Sequence, residues 1–235
     1  MKITSLASSS KGNCYIVNDG KTNLMIEAGI SLQSMREKGI DPVSIDGLLI
    51  SHEHKDHCKY WYQLAAYTTI YTSKGTFENL DNKDLLNSFK VRCVEVNKSF
   101  KLGSYIIYPF HTEHDAQEPF GFYIHSTHTR ENLLFATDTY YINNRFDNLN
   151  YVMVECNYDR EYLENNPNIS KGRKLRTMRS HFEISNVIAF LKANDLSNVR
   201  TIFLMHLSNG NSNAETFRKR VEQATGVPII VFNER

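Results

Sequence analysis

The sequence predicts a layered α/β sandwich, formed as one domain over residues 1–235. Short apolar runs of β type recur along the whole chain, and helical stretches stand between them in both halves. No repeat, low-complexity stretch or linker interrupts that pattern. At roughly 150 residues per domain, 235 residues suit one large domain with a sizeable core.

In order, Cys14 to Val17 and Asn23 to Glu27 read as strands about a turn at Asn18-Asp19-Gly20-Lys21. A short helix over Leu32 to Lys38 stops at Gly39, with Pro42 soon after. Gly47 to Ser51 (GLLIS) is a compact apolar run suited to a buried strand. His57 to Tyr67 reads as a helix, and Ile70 to Thr72, Val91 to Val96 and Tyr105 to Phe110 as strands. Phe120 to His125, Asn132 to Ala136 and Tyr151 to Cys156 continue the strands. Ser185 to Ala193 is amphipathic, with Val187, Ile188 and Leu191 on one side. Thr201 to Met205 is a strand, Ala214 to Thr225 a helix, and Val227 to Phe232 a last strand.

With 41% hydrophobic and 23% charged residues, the chain is neither collagenous, nor a coiled coil, nor disordered throughout. A net charge of +1 excludes a generally polybasic protein but leaves room for a local patch. No apolar run approaches the roughly 18 residues of a membrane helix, and MKITSLASSSKGN has no signal-peptide core. A soluble cytoplasmic protein without membrane contact is therefore expected. Cys14, Cys58, Cys93 and Cys156 form no CxxC pair, which suits reduced thiols rather than a disulfide framework. Nothing in the sequence indicates an oligomeric state.

The most basic stretch lies within Asn165 to Arg179, where Lys171, Arg173, Lys174, Arg176 and Arg179 fall in nine residues. Those charges suit either a solvated surface loop or an arm that contacts phosphates.

The segment Ile50 to Cys58, ISHEHKDHC, places His52, His54, Asp56 and His57 directly after an apolar strand. Residues i and i+2 do not share a helix face, so His52 and His54 converge only where the chain is extended or looped. Asp56 and His57 are adjacent and do not readily point the same way as that pair. A loop holding two metal ions resolves this, one on His52 and His54 and the other on Asp56 and His57. Neither a zincin HExxH nor a P-loop is present. Imidazole and carboxylate together favour Zn or Mn. Asp138 in LLFATDTYY and His206 in TIFLMHLSNGN each stand where an apolar strand ends beside a loop, which is where α/β proteins place sites. His111 and His114 both lie close to one such strand end. His125 and His128 fall in a polar hairpin.

The pattern HxHxDH at His52, His54, Asp56 and His57 resembles that of the metallo-β-lactamase superfamily, and the likeness extends along nearly the whole chain. It implies the four-layer αββα sandwich of that superfamily and two divalent metal ions. One ion would take His52, His54 and His114, the other Asp56, His57 and His206, with Asp138 bridging. The spacing of Asp115-Ala116 and Gly121 favours His114 over His111 in that pattern. SLASSSKGNCYIV, HDAQEPFGFYI, VECNYDREYL, SHFEIS and MHLSNGN resemble the nuclease branch typified by YycJ and WalJ, whose members act as 5′-to-3′ DNA exonucleases. RNase Z and PhnP-type phosphodiesterases resemble it more distantly. That branch adds His181, which would clamp a phosphate oxygen or act as general acid; a helix-start histidine without a role is the plain alternative.

Three departures from the pattern stand out. Glu27 in MIEAG replaces the usual aspartate that braces the metal-binding loop, Tyr140 stands where glycine is common, and Phe182-Glu183-Ile184 replaces Leu-Ser-Asn.

The expected activity is that of a dinuclear-metal phosphodiesterase, a nuclease acting as an exonuclease on DNA, with Asp56 and His181 as catalytic residues. Two ions activate water and stabilise both attacking and leaving oxygens of an in-line displacement, and phosphodiester oxygens bridge two cations naturally. Ser9 and Asn13, in a polar loop Ser8 to Asn13, and Lys171, Arg173, Lys174 and Arg176 are candidate substrate contacts; an ordinary turn explains the first pair equally well. Tyr60, Trp61, Tyr62 and Tyr67 suit base stacking or core packing. The runner-up is a small-molecule or cyclic nucleotide phosphodiesterase. A non-catalytic nucleic-acid-binding protein leaves the complete ligand set unexplained, and lactam or thioester hydrolysis gives no use to His181 or the basic stretch.

Overall fold

The structure is a computed structural model that describes residues 1–82 and 90–232. By its internal contacts the chain divides into two compact units. One comprises Met1–His111 with Ala116–Glu131, the other Thr112–Asp115 with Asn132–Arg235.

The first unit is built on β1 (Lys2–Ser9), β2 (Gly12–Asn18), β3 (Asn23–Ile26), β4 (Gly47–Leu49), β5 (Ile70–Thr72) and β6 (Val91–Cys93), hydrogen-bonded in that order. β1 to β3 form an antiparallel meander, and β3 to β6 run parallel. Between them lie α1 (Leu32–Glu37), α2 (Lys55–Cys58), α3 (Trp61–Leu64) and α4 (Lys74–Asn79). Met25, Leu48, Ile50, Trp61, Leu64 and Ile70 share its core. β4 and β5 are buried at every position, as short parallel strands covered on both faces must be. A further antiparallel set comprises β7 (Phe100–Leu102), β8 (Tyr105–His111) and β9 (Phe120–Ser126).

Three expectations change in this unit. β1 (KITSLASS) was not read as a strand because Ser and Thr interrupt its apolar alternation; it pairs with β2 from Lys2↔Asn18 to Ser9↔Gly12. Ser8 and Ser9 therefore end one strand and Gly12 and Asn13 open the next, leaving only Ser10 and Lys11 to turn. The expected helix from His57 to Tyr67 is two short helices. Tyr60 leaves the helical region (φ −112°, ψ 13°), and its N–H donates to Ala28 O at 2.9 Å.

A buried polar knot fixes the turns of this unit. Asp19 accepts from the hydroxyls of Ser104 (2.6 Å) and Ser126 (2.5 Å) and from the N–H of Thr22 (2.9 Å) and Lys21 (3.0 Å). Burial alone would raise its pKa, but these donors outweigh burial and pull the carboxyl down to about 2. A depressed folded-state pKa stabilises the fold above the unfolded-state value near 4, and that stabilisation is lost as pH falls toward 2. Asp19→Asn is expected to cost about 2 kcal/mol at neutral pH. It should also flatten the loss of stability between pH 4 and 2. Urea titrations at a series of pH values check this, and parallel curves for native and variant protein would refute it.

The second unit is a parallel sheet of β10 (Asn132–Ala136), β11 (Tyr151–Glu155), β12 (Thr201–Met205) and β13 (Ile229–Val231), in that order. Its helices are α5 (Arg160–Asn165), α6 (Lys171–Ser180), α7 (Ile184–Lys192) and α8 (Ala214–Thr225). Side-chain caps start each of them: Asp159, Ser170, Glu183 and Asn213 accept backbone N–H groups of the first turn. α8 ends at Gly226 in the left-handed region (φ 71°). β10, β12 and α8 have the extents read from the sequence. The basic stretch is a ten-residue helix, α6, rather than a loop. Among the described residues no helix is long and apolar enough to cross a membrane.

Candidate metal centre

In the first unit the ligand types gather after β4. Ile50 to His54 run as a loop, so His52 and His54 converge as their spacing requires, with ring centroids 4.7 Å apart. His54 is the N-cap of α2, and Asp56 and His57 lie on that helix rather than in the loop. His57 Nε2 is 3.3 Å from Asp56 Oδ2, and its ring centroid lies 4.3 Å from that of His52.

A polar frame holds these groups. Ser51 Oγ lies 2.8 Å from His52 Nδ1. Glu27 is fully buried, accepts the Ser51 N–H at 3.3 Å and presents Oε2 3.7 Å from His57 Nδ1, so it performs the bracing expected of an aspartate there. Asn13 is also buried. Its amide donates to Asp56 O (3.3 Å) and lies 3.2 Å from His57 Nε2. Asn13 thus fastens the start of β2 to the Asp56–His57 segment. The backbone completes the frame through Ala28 N–H to His57 O (2.6 Å) and Gly29 N–H to Asn13 O (2.9 Å).

In the second unit His114, Asp138, His181 and His206 come together around a residue the sequence reading overlooked, Glu155. Glu155 ends β11 and is fully buried. Its Oε1 lies 2.6 Å from His181 Nδ1 and 3.1 Å from His206 Nδ1, while Oε2 accepts the N–H groups of Thr139 (3.0 Å) and Phe182 (3.1 Å). Asp138 Oδ1 is 3.1 Å from His206 Nδ1, and Oδ2 is 3.5 Å from His114 Nε2. One donor atom from each of Asp138, Glu155, His181 and His206 falls within a 4.8 Å span. His111 ends β8 exposed and is not part of this group. A carboxylate at the end of an apolar strand, the position Asp138 and His206 share, was the available signal for Glu155.

α6 holds the His114 loop from two sides. His114 Nδ1 donates to Ser180 O at 2.6 Å, and Arg176 Nε donates to Asp115 Oδ2 at 2.6 Å. Lys174 Nζ donates to Glu164 O. Arg176 and Lys174, expected as phosphate contacts, therefore already hold protein oxygens. Lys171 and Arg173 are exposed on the first turn of α6, and Ser9 accepts the Lys11 N–H at 3.2 Å.

The protonation states suit this geometry. Burial holds the His114 imidazole below its ordinary pKa, despite Asp138 beside it, and so favours the neutral form that a metal ligand needs. Burial would raise Glu155, but His181 and the hydrogen bonds from His181 and His206 outweigh it and hold the carboxyl down. Burial would lower His181, but Glu155 outweighs it and favours the imidazolium.

Three non-glycine residues adopt left-handed backbone at the ends of strands: Glu27 (φ 68°), Asp138 (φ 32°) and His206 (φ 55°). Such conformations cost of order 1–3 kcal/mol and persist where surrounding contacts over-determine them. The frames around Glu27 and Glu155 supply those contacts.

The donor set fits divalent ions. His52, His114 and His206 each turn Nδ1 toward an oxygen of the protein, which leaves Nε2 to serve as a ligand. Two aspartates accompany them, a mixture of imidazole and carboxylate donors suited to divalent ions.

Strands ending in bent residues that bear carboxylates or imidazole define a metallohydrolase scaffold, and the chain belongs to the metallo-β-lactamase superfamily: the profile of the beta-lactamase superfamily domain matches residues 22–207. It is 30% identical to exodeoxyribonuclease YycJ of Bacillus anthracis over an alignment of 241 positions that covers 93% of this chain and 86% of that protein. It is 29% identical to exodeoxyribonuclease WalJ of Streptococcus pneumoniae serotype 2 over 226 residues, 90% and 83% of the two chains. The fold matches the metallo-beta-lactamase fold protein YhfI of Bacillus subtilis with a TM-score of 0.74, at 13% identity, over 97% and 94% of the chains.

Proposed function

We propose that this chain is a metal-dependent nuclease, an exonuclease that hydrolyses DNA phosphodiesters, with its two units forming one catalytic domain over residues 1–235. The observation that carries the reading is the His181–Glu155 pair. A fully buried carboxylate holds the His181 imidazole at the edge of a ligand cluster and favours its charged form. Its Nε2–H is suited to grip a non-bridging phosphate oxygen or to protonate a leaving oxygen.

Two divalent ions, Zn or Mn, would be held by His52, His54 and His114 and by Asp56, His57 and His206, with Asp138 shared. When bound, they supply an activated water and charge stabilisation for both oxygens of an in-line displacement. The protein's own groups do the rest. Asp56 orients the attacking water, Glu155 keeps His181 charged and aimed, and Glu27, Ser51 and Asn13 keep the His52–His57 segment rigid. Lys171, Arg173 and the exposed Arg179 of α6 supply positive charge to a polyanion. DNA is the favoured polymer because the relatives at 29–30% identity are named exodeoxyribonucleases. Four free thiols and no disulfide among the described residues suit a reducing, cytoplasmic setting.

End-labelled single-stranded DNA, duplex DNA and RNA, each incubated with Mn²⁺ or Zn²⁺, test the reading. Metal-dependent shortening of DNA from one end is expected, reduced about 10³-fold by Asp56→Ala. Hydrolysis of bis(p-nitrophenyl) phosphate or a cyclic nucleotide without cleavage of any polymer would assign a small-molecule phosphodiesterase instead.

A further inference from the structure

The second unit contains a cavity of about 300 Å³ that the metal centre does not use. It begins at Tyr140, two residues beyond Asp138 and so within about 7 Å of chain. Tyr141, Ile142 and Arg145 continue its wall, and Asn186 and Phe190 of α7 form the other side. The floor is apolar: Ile142 is 4% and Phe190 8% exposed. At the mouth the two tyrosine rings are 41% and 54% exposed, large for aromatic side chains in a compact unit.

This mouth is held in place. Tyr140 N–H donates to Glu113 O at 3.0 Å, Thr139 Oγ1 donates to Tyr141 O at 2.6 Å, and Glu113 N–H donates to Thr139 Oγ1 at 2.9 Å. At the far end Phe146 N–H donates to Asn194 Oδ1 at 2.8 Å. The segment that carries the rings is thus tied to the residue before His114 at one end and to the C-terminal end of α7 at the other. Among the described residues the Arg145 guanidinium makes no ion pair, and it is exposed at the rim.

We propose that this cavity receives the base of the nucleotide whose phosphate sits at Asp138, with Tyr140 and Tyr141 as stacking surfaces and Arg145 facing the neighbouring phosphate. The volume lies at the lower end of ligand pockets, enough for a single base and too small for a bulky partner. An aromatic pair over an apolar floor accepts any base through its π-face, and the asparagine amide of Asn186 meets a base edge without imposing one sequence. Such a site gives an exonuclease a grip on the terminal nucleotide that a bare metal pair lacks. The inference rests on the nuclease reading above.

The test compares two single-stranded DNA oligomers that carry a hydrolysis-resistant phosphorothioate terminal linkage. One is complete and one lacks the terminal base. Fluorescence anisotropy with metal-loaded protein reads the affinity for each. The complete oligomer is expected to bind about tenfold more tightly than the abasic one, a preference that Tyr140→Ala and Tyr141→Ala each reduce and the double variant abolishes. Tyr140→Phe should retain it, because the ring and not the hydroxyl stacks. Both rings are exposed, so folding of the variants is not at issue. Equal affinity for the two oligomers, or tyrosine variants that weaken both equally, overturns the proposal while the nuclease reading stands if natural DNA is cleaved. Failure of the native protein to cleave or bind any oligomer overturns the nuclease reading itself.

Discussion

Glu155→Gln is expected to lower phosphodiester hydrolysis about 100-fold and to weaken metal retention 10- to 100-fold, although the substitution changes one atom. Glu155 is acceptor on both oxygens. Oε2 takes the N–H groups of Thr139 and Phe182, and Oε1 faces Nδ1 of His181 and of His206. A glutamine has one oxygen. If it stays on the backbone donors, its NH₂ group faces two imidazole Nδ1–H groups. His206 must then carry its proton on Nε2, the atom a metal would need, and His181 can no longer hold protons on both ring nitrogens. If the amide flips, two backbone N–H groups lose their acceptor in a fully buried place. Either arrangement leaves buried donors opposed, a cost of roughly 1–3 kcal/mol in stability. Metal content after dialysis, hydrolysis of bis(p-nitrophenyl) phosphate and thermal unfolding measure the three effects. Native metal content together with a native rate would mean that Glu155 is only a structural pin.

What could be read from the sequence divides along physical lines. LLFA and TIFLM are unbroken apolar runs, so β10 and β12 were legible, and so were Asp138 and His206 where each run stops. The cluster at His52 to His57 was legible because three histidines and an aspartate in six positions have few structural uses. β1 was not, since its pairing with β2 comes from backbone hydrogen bonds that Ser and Thr side chains neither signal nor prevent. The basic helix α6 was hidden by its polarity and by Gly172, and its Ser170 cap was the one local sign. Glu155 was hidden for another reason. VECNY reads as the end of a strand, and only the fold brings His181, 26 residues later, onto its carboxylate. The left-handed backbone of Glu27, Asp138 and His206 has no sequence signature at all, because these are not glycines. It is imposed by the contacts around them.

Gly29→Ala should be as damaging as the loss of a ligand, although residue 29 touches no metal. A Cβ there would stand 2.0 Å from Asp56 O and 2.4 Å from Asn13 N, both backbone atoms. Neither can yield alone. Gly29 N–H is bonded to Asn13 O, Ala28 N–H to His57 O, and Tyr60 N–H to Ala28 O, so β2, the chain after β3 and helix α2 move together or not at all. A methyl group at this point therefore prises the Asp56–His57 pair away from Glu27 and Asn13. The expected cost is about 3 kcal/mol, the upper end for overpacking, which for a chain of this size lowers Tm by about 10 °C. The ratio of bound metal to protein should fall with it. Gly172→Ala is the control: nothing lies within 4 Å of a Cβ built there, and alanine favours the α6 helix, so its Tm should hold or rise slightly. Were Gly29→Ala to keep both native metal content and native Tm, the close approach of the chain after β3 to helix α2 at Asp56 would have no part in holding the His52–His57 segment in place.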